Sequence, residues 1–249
     1  MSLHLDFSDK IILVTGGTRG IGKEIATQFL INGGKVIITG TNFLDVSKLK
    51  KDWGFDNISY QRVDFLKEKS VIKFLEWINN QEKIDILINN AGINKVDLNV
   101  DSITSDFKDL IDVNLKGPYL LSREVSAIMK KNKYGRIVNI SSIWGSITRP
   151  GRSLYSTTKF GLVGLTKSLA VELAPYGVLV NAIAPGFTMT ELTKRTNTEK
   201  ELEDLKKTIP IKRLAEPIEI AKLVLFVTSD MNTYLTGQNI VIDGGYVNV

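Results

Sequence analysis

Tyr155 and Lys159 are the residues of this sequence whose types and spacing suit proton transfer. They stand four positions apart near the start of a predicted helix, residues 153–174, so both side chains are expected on one helix face. An ammonium beside a phenol stabilises the phenolate and lowers the tyrosine pKa from about 10, which makes tyrosine a usable acid or base. Ser142 follows a predicted strand, at a position where its hydroxyl can hydrogen-bond a reacting oxygen.

The composition excludes several other chemistries. The chain has no cysteine, which excludes disulfides, thiolate nucleophiles and cysteine-ligated metals. Its one histidine, His4, stands near the N-terminus, so neither a Ser-His-Asp arrangement nor a multi-histidine metal site is expected. No other ligand cluster is evident, and we predict no metal. Because an isolated Tyr-x-x-x-Lys pair is common in helices, the surrounding motifs decide its interpretation.

A glycine-rich turn, TGGTRGIG at residues 15–22, follows the first predicted strand. Such a turn lets the backbone approach a pyrophosphate, and the next helix offers unpaired N–H groups at its N-terminus. A purely structural turn is the alternative. The glycine spacing is wider than the usual dinucleotide fingerprint, and the Lys-Ser/Thr ending of a nucleotide triphosphatase loop is missing. The residues predicted to bind a dinucleotide here are Gly16, Thr18, Arg19, Gly20, Ile21 and Gly22.

The end of the second predicted strand indicates which dinucleotide binds. In dinucleotide folds an acidic residue there holds the ribose 2′-hydroxyl. Here Thr41 and Asn42 follow the strand, and the first carboxylate is Asp45. Arg19 lies inside the glycine turn, where its guanidinium can face a 2′-phosphate. We therefore predict NADP(H) rather than NAD(H), with an Arg19 that is merely an exposed loop residue as the alternative.

The elements that must position these residues alternate along the chain. Short apolar runs are typical of buried strands, and the amphipathic stretches between them are long enough for crossover helices. This alternation predicts an α/β fold: a mostly parallel, doubly wound sheet with helices on both faces, in a single domain over residues 1–249. The predicted strands are residues 11–14, 36–38, 58–63, 84–88, 136–140, 178–183 and 239–242.

Two further stretches bear on the site. Residues 103–131 read as a long helix, which Gly117-Pro118 is expected to kink or locally unwind. Residues 188–207 are polar and carry no strand signal, and we predict that they form a lid over the ligand.

Together these motifs resemble the short-chain dehydrogenase/reductase family. The resemblance spans residues 10–249 and implies a Rossmann-type sheet with a seventh strand. It implies that Tyr155 is the acid/base and that Lys159 lowers its pKa and binds the nicotinamide ribose. Ser142 would orient the substrate oxygen, and Asn114 would hold a water that relays protons to solvent. The motifs that carry the resemblance are TGGTRGIG (15–22), NNAG (89–92), Asn114, Ser142 with YSTTK (155–159), and PGFTMT (185–190).

The same resemblance implies the rest of the cofactor site. Asp64 and Phe65 would lie near the adenine, and residues 185–190 around the carboxamide. Taken singly, each residue has a plain alternative as a turn former, helix cap or loop residue, but five motifs in register favour function. The remaining residues that the family pattern places at the cofactor are Asn90, Ala91 and Gly92 at the ribose, and Pro185, Gly186, Thr188 and Thr190 at the carboxamide.

The branch that looks most similar is the 3-oxoacyl-(acyl carrier protein) reductases, which implies an acyl-thioester substrate and a carrier protein as partner. Two departures from the pattern of that branch weaken this assignment of substrate and partner. The positions matching two basic docking residues hold Lys133 and Tyr176, so one is missing. The loop after Ser142 carries Trp144, Arg149 and Arg152, where those reductases tend to have small residues. These arginines suit a substrate carboxylate or phosphate, or they cover an oligomer edge.

Three functions therefore stay open. The first is an NADPH-dependent 3-oxoacyl carrier reductase. The second is a dehydrogenase of the same mechanism that acts on a small sugar, hydroxy acid or cyclic ketone. The third is a non-enzymatic NADP-binding regulator, against which the intact catalytic set argues.

We expect a cytoplasmic homotetramer that binds neither membrane nor nucleic acid. The N-terminus lacks the basic start and apolar run of a signal peptide, and no segment approaches the roughly 20 apolar residues of a membrane span. The net charge of +5 comes from scattered basic residues, which indicates solvated helix faces. The tetramer is implied by the family and by surplus apolar side chains in the 153–174 helix: Leu162, Val163, Leu165 and Leu169.

Overall fold

The computed structural model describes residues 5–249, apart from the side chains at positions 192 and 196, and His4 lies outside this range. Seven parallel strands form one sheet in the order β3-β2-β1-β4-β5-β6-β7. The strands are β1 Ile11–Val14, β2 Lys35–Gly40, β3 Ile58–Arg62, β4 Ile86–Asn89, β5 Gly135–Ile140, β6 Val178–Pro185 and β7 Asn239–Ile242. The helices are α1 Gly20–Ile31, α2 Val46–Trp53, α3 Glu68–Asn79, α4 Thr104–Ile111, α5 Gly117–Asn132, α6 Ser153–Leu173, α7 Glu191–Thr196, α8 Glu199–Thr208 and α9 Pro217–Thr228.

The strand order reverses between β1 and β4, which are paired in register with Leu13 beside Leu87. This is the topological switch point of a doubly wound sheet, where the crevice at the carboxyl ends of the strands binds ligands. The predicted doubly wound parallel seven-stranded sheet is confirmed.

The two faces of the sheet bury two apolar clusters because strand side chains alternate. In β1, Ile12 and Val14 pack on the face covered by α1 and α9, whereas Leu13 packs on the face covered by α3, α5 and α6. Of the side chains predicted to be surplus in α6, Leu162 is fully buried and Leu169 packs against the second cluster. Those two therefore belong to the core of the chain itself.

The helix predicted over residues 103–131 is broken one turn earlier than Gly117-Pro118. A π-helical turn, Asp112–Lys116, separates α4 from α5. Pro118 has no N–H to donate to the carbonyl of Asn114 four residues earlier, which weakens the regular ladder at this point. The ring of Phe65 packs so closely on Gly117 that an added Cβ would lie 2.8 Å from it. The break thus places Asn114 on an irregular turn that faces the sheet edge.

Residues 188–207 contain the helix α7 and all but the last residue of α8. An isolated bridge between Thr188 and Ala215 precedes them. Thr198 and Glu201 form a capping box at the start of α8, which satisfies its first N–H groups. The segment is polar and mostly exposed, as the sequence indicated. Among the residues that the structure describes, no helix is long and apolar enough to cross a bilayer.

Candidate active site

The glycine turn joins β1 to α1 directly beside the loop that follows β4. Gly16 donates its N–H to Thr39 Oγ1 at 3.2 Å, and Gly17 donates to the Thr39 carbonyl at 3.1 Å. Gly16 and Gly20 have φ values of +63° and +55°, a region that favours glycine. A Cβ on Gly22 would overlap Asn90 Nδ2 and the Gly16 carbonyl oxygen. The turn therefore brings its backbone close to the N-terminus of α1, the arrangement in which unpaired N–H groups can receive an anion.

Thr15 links the glycine turn to the NNAG motif through hydrogen bonds. Its hydroxyl accepts hydrogen bonds from the N–H groups of Asn90 and Ala91 at 2.9 and 3.0 Å. Asn90 in turn donates from Nδ2 to the carbonyls of Thr15 and Gly16. Asn89 is different: it is buried and donates to Asn139 Oδ1 at 2.8 Å, inside the sheet. Only the second asparagine of the motif therefore borders the ligand crevice.

The end of β2 holds no carboxylate, and two arginines lie near it. Arg19 is exposed at the N-cap of α1, with no side-chain capping bond. Arg62, at the end of β3, donates from Nε to the Thr41 carbonyl at 2.9 Å, and its guanidinium carbon lies 4.1 Å from the ring centroid of Phe43. Tyr60 Oη donates to the Asn42 carbonyl. Sequence reasoning missed Arg62, although the parallel register that pairs Gly40 with Arg62 would have indicated it.

Asp64 and Phe65 follow β3 and have structural contacts of their own. Asp64 accepts from the Leu66 N–H at 3.1 Å and pairs with Lys67 at 3.3 Å. The Phe65 ring packs against Gly117 rather than into the crevice. Any contact of these two residues with an adenine would therefore involve the main chain or the carboxylate edge.

Asn114 ties the loop after β4 to α6. Its Oδ1 accepts from the Ile93 N–H, and its Nδ2 donates to the Ile93 carbonyl, both at 2.9 Å. Nδ2 also donates to Thr158 Oγ1 at 3.2 Å. These contacts use both hydrogens of Nδ2, so a water at this residue would bind either the second lone pair of Oδ1 or the main-chain carbonyl, to which Pro118 can donate nothing.

Ser142, Tyr155 and Lys159 converge at the carboxyl end of β5. Ser142 is buried and hydrogen-bonds Tyr155, while its Oγ accepts from the Trp144 N–H at 3.2 Å. Lys159 Nζ donates to the Ile140 carbonyl at 2.7 Å and lies 5.5 Å from the Tyr155 ring centroid. A Cβ on Gly92 would lie 4.0 Å from Lys159 Nζ and 3.4 Å from Asn114 Oδ1. The four residues predicted to be catalytic thus border one crevice with the NNAG loop.

Burial dominates the electrostatics of this pair. It raises the pKa of Tyr155 to about 12, while a hydrogen bond from Ser142 and the positive charge of Arg152 act in the opposite direction. Burial also lowers the pKa of Lys159 to about 8. The sequence predicts Lys159 as the cation that lowers the pKa of Tyr155. In the structure the positive charge that lowers it is that of Arg152, whereas Lys159, whose own pKa is about 8, loses its proton before Tyr155 ionises.

An aromatic wall lies beside Ser142, whose Oγ accepts a hydrogen bond from the Trp144 N–H. Trp144, Phe187 and Tyr246 meet edge to face, with ring centroids 5.1 to 6.3 Å apart. The guanidinium carbons of Arg149 and Arg152 lie 5.1 and 5.4 Å from the Trp144 centroid. Nothing in the sequence indicated that Tyr246, near the C-terminus, would reach this wall.

The PGFTMT segment lies between the glycine turn and the C-terminal segment. An added Cβ on Gly20 would lie 3.6 Å from Thr190 Cγ2, so Thr190 borders the pyrophosphate cradle. Thr188 is buried and its carbonyl accepts from Thr193 Oγ1 at 2.8 Å. Gly186 donates to the Ile242 carbonyl at 2.9 Å, which fixes the start of the segment to β7. The predicted site residues after β6 therefore close one side of the crevice.

Comparisons with known proteins agree along the whole chain. A protein-family model described as enoyl-(acyl carrier protein) reductase matches residues 16–247. The 3-oxoacyl-(acyl carrier protein) reductase FabG of Aquifex aeolicus (strain VF5) is 41% identical over 248 residues, which cover 98% of this chain and 99% of that protein. The solved structure of ElxO with NADP bound has a TM-score of 0.90 at 34% identity, covering 96% of this chain and 99% of that one. A gluconate 5-dehydrogenase from Burkholderia cenocepacia, in complex with NADP and tartrate, has a TM-score of 0.90 at 27% identity, covering 99% and 98%.

Proposed function

The chain belongs to the short-chain dehydrogenase/reductase family, and from this we propose that it is an NADP(H)-dependent oxidoreductase that interconverts a ketone and a secondary alcohol. The observation that carries the proposal is the convergence of Ser142, Tyr155 and Lys159 on one crevice with the glycine turn and the NNAG loop.

The crevice fits a dinucleotide with a 2′-phosphate. The glycine turn and the N-terminus of α1 would hold the pyrophosphate. Arg19 would pair with the 2′-phosphate, and Arg62 holds the main chain of Thr41 beside it. Gly92 leaves room for the ribose next to Lys159. NADPH would supply a hydride to the carbonyl carbon, and the other steps fall to the side chains of the chain itself.

We assign the proton transfer to Tyr155. A carbonyl oxygen that receives a hydride at its carbon becomes alkoxide-like and needs a proton. The phenol of Tyr155 keeps its proton well above neutral pH, so it is neutral and has a proton to donate in the reductive direction. Ser142 would hydrogen-bond the developing oxyanion, since it already lies within hydrogen-bond reach of Tyr155.

The proton that Tyr155 loses must be replaced from solvent. Lys159 is buried beside Tyr155 and has a pKa of about 8, so it can give and take a proton near neutral pH. Asn114 anchors the loop over Lys159 through Ile93, and its main-chain carbonyl would hold the relay water. In this proposal Asn114 positions the relay, and Tyr155, Lys159 and Ser142 act on the reacting atoms.

The first candidate substrate is a 3-oxoacyl thioester, because the curated relative at 41% identity is named as a 3-oxoacyl-(acyl carrier protein) reductase. An acyl carrier protein would then dock near the end of α5. Tyr176 stands at one of the two positions where that branch has a basic docking residue. Lys130 Nζ lies 4.3 Å from the centroid of the Tyr176 ring, so a positive charge is still present at this surface. Lys133 lies at the end of the same helix.

The second candidate substrate is a small hydroxy acid. It is favoured by Arg149 and Arg152 on the aromatic wall, and by the similarity to a gluconate 5-dehydrogenase that holds NADP and tartrate. Both candidates use the same catalytic residues and the same cofactor.

One assay tests the proposed function. NADPH oxidation is measured with an acetoacetyl thioester and with a panel of oxo acids, sugars and cyclic ketones, and NADP reduction with the matching alcohols. We expect turnover on at least one ketone, at a rate that exceeds the cofactor blank. Tight NADPH binding without turnover on any ketone or alcohol would instead leave a protein that only binds the cofactor, and the proposal would be wrong.

We also propose that residues 188–207 form a lid. The segment is mostly exposed, and the bond from Gly186 to β7 fixes its start, so the movement would begin beyond this residue. Amide exchange of α7 and α8 should slow when NADP is added to the protein, and unchanged exchange would contradict the lid.

The single domain, the cytoplasmic location and the homotetramer stay predictions. Large exposed side chains on α5 and α6 support assembly, with Tyr119, Phe160 and Val171 at 52%, 48% and 79% exposure. Light scattering at micromolar concentration should give four times the mass of the chain, and a monomer would contradict this.

A further inference from the structure

Arg152 is a buried cation without an anionic partner. Its side chain is 9% exposed, and its Nε is buried with no hydrogen-bond partner. Nη1 donates to Asn94 Oδ1, a neutral amide, at 3.2 Å. Among the ion pairs of residues 5–249, none includes Arg152 or its neighbour Arg149. Burial of a charge without a counterion is costly, so such groups are usually paired.

The position of Arg152 relates it to the reacting atoms. It is the N-cap residue of α6, and Tyr155 and Lys159 follow it by three and seven positions. Residues at this spacing lie along one face of a helix, about 5–6 Å apart per turn between Cβ atoms. The charge of Arg152 also lowers the pKa of Tyr155, which places the guanidinium within electrostatic reach of the phenol.

Arg152 lies against the aromatic wall together with a second arginine. Trp144 covers one side of the guanidinium, at 5.4 Å from its ring centroid, and Arg149 lies over the same ring at 5.1 Å. Burial lowers the pKa of Arg152, and the charge of Arg149 lowers it further. Two like charges that converge on one ring beside a catalytic tyrosine form a site that an anion would neutralise.

We propose that Arg152, assisted by Arg149, binds a carboxylate of the substrate beside the carbonyl group that Tyr155 protonates. The inference rests on the proposed function and selects the second of its substrates, an oxo acid in one direction and a hydroxy acid in the other. A guanidinium binds a carboxylate through two parallel N–H donors, which would satisfy the unpartnered Nε of Arg152 and fix the ketone against Ser142 and Tyr155.

A role for Arg152 at an oligomer edge fits less well. The side chain is already buried within a single chain, so a second copy has little of it left to cover. Arg149 is exposed and can swing toward a ligand once one is bound. A thioester has no formal charge, and it would leave the buried guanidinium of Arg152 uncompensated.

The test compares oxo acids with their own methyl esters. NADPH oxidation is measured with pyruvate, acetoacetate and levulinate, with the three methyl esters, and with an acetoacetyl thioester. Each pair keeps the ketone and the carbon chain and changes only the charge. We expect at least one acid to exceed its ester in kcat/KM by about ten- to a hundredfold, the range for one charge-assisted contact.

Substitutions then assign that preference to a residue. Arg152→Gln should lower the acid-to-ester ratio of kcat/KM about tenfold or more, and Arg152→Lys should restore part of it. The ratio separates binding of the carboxylate from an effect through the pKa of Tyr155, because the latter changes acid and ester together. Arg123→Gln, which removes an exposed arginine from α5, serves as the matched control and should leave the ratio unchanged.

Three outcomes overturn the inference. In the first, the esters or the thioester equal or exceed every acid in kcat/KM; the proposed function is then retained and the carboxylate site is wrong. In the second, Arg152→Gln lowers kcat/KM equally for acids and esters, which would make Arg152 a positioning residue for Tyr155. Inertness toward every ketone, thioester included, contradicts the proposed function itself and the inference with it.

Discussion

On the cofactor side of the crevice, residues 15–22, 40–42 and 90–92, most contacts are made by the main chain or by short side chains. On the substrate side, residues 142–155, 187 and 246, the contacts join long side chains from distant segments. Thr15 alone bonds two N–H groups of the NNAG loop, and Gly22 has no room for a Cβ. Arg152, by contrast, keeps a buried Nε without a partner.

This difference leads us to expect different effects from substitutions on the two sides. The cofactor side must present N–H groups to a pyrophosphate in one geometry, so its glycines are fixed by steric contact. The substrate side can exchange its aromatic and charged side chains without disturbing the turn. We therefore expect substitutions on the cofactor side to affect every substrate alike, and those on the substrate side to change the preference among substrates.

Tyr155→Phe tests the boundary between the two sides and should have the largest effect. Loss of the proton donor should lower turnover by about a hundredfold or more, the range for a positioned acid. Affinity for NADPH should change little, since the phenol is assigned to the substrate oxygen. Steady-state rates and NADPH fluorescence titration measure the two quantities. Retention of most of the activity on the true substrate would show that another group delivers the proton.

Arg19→Ala tests the cofactor side alone. The guanidinium is exposed at the N-cap of α1 and has no capping bond to lose. Loss of one charge-assisted contact with the 2′-phosphate should raise the NADPH dissociation constant about ten- to a hundredfold and leave that of NADH nearly unchanged. Calorimetric titration with both cofactors provides the measurement. If the unmodified protein bound both cofactors equally, the assignment of Arg19 would fail.

Gly22→Ala tests whether the cofactor side is as rigid as its contacts indicate. The new methyl group would overlap the Gly16 carbonyl and Asn90 Nδ2, and overpacking of this kind costs about 1–3 kcal/mol. Chemical denaturation should show this loss, together with weaker NADPH binding. Gly164→Ala is the matched control within α6, because no atom lies within 4 Å of its Cβ position and alanine favours a helix. Equal stability of the two variants would contradict a sterically fixed turn.

The same contrast explains how much the sequence could predict. Strand runs and the glycine turn are local patterns, so the parallel sheet and the strand-turn-helix form of residues 11–31 could be predicted from spacing, whereas the Rossmann-type order with a seventh strand was implied by the family resemblance. Arg62 and Tyr246 reach the site only through the fold, one by register with Gly40 and the other by ring contacts with Trp144 and Phe187. The sequence predicts Lys159 as the cation that lowers the pKa of Tyr155, because spacing cannot show that burial lowers the pKa of this ammonium below that of the phenol.

The smallest predicted effect concerns the charge state of Lys159, where the two sides meet. Burial lowers its pKa to about 8, against 10.5 for an ordinary lysine. Between these values the unfolded chain holds a proton that the folded chain has released, so this residue makes the free energy of unfolding rise with pH across that window. Tyr155 acts in the opposite direction above about pH 10, because its folded pKa is raised to about 12.

Lys159→Met isolates this contribution in the cofactor-free protein. The difference in unfolding free energy between the unmodified protein and the variant should grow in favour of the unmodified protein by about 2 kcal/mol between pH 7.5 and pH 9.5, below the range where Tyr155 titrates. Urea denaturation at several pH values measures it. Because the same Tyr155 is present in both proteins, its titration cancels from the difference. A difference that stayed flat or fell with pH would mean that Lys159 keeps its proton in the folded state, and it would then hold the ribose as a fixed cation without relaying protons to Tyr155.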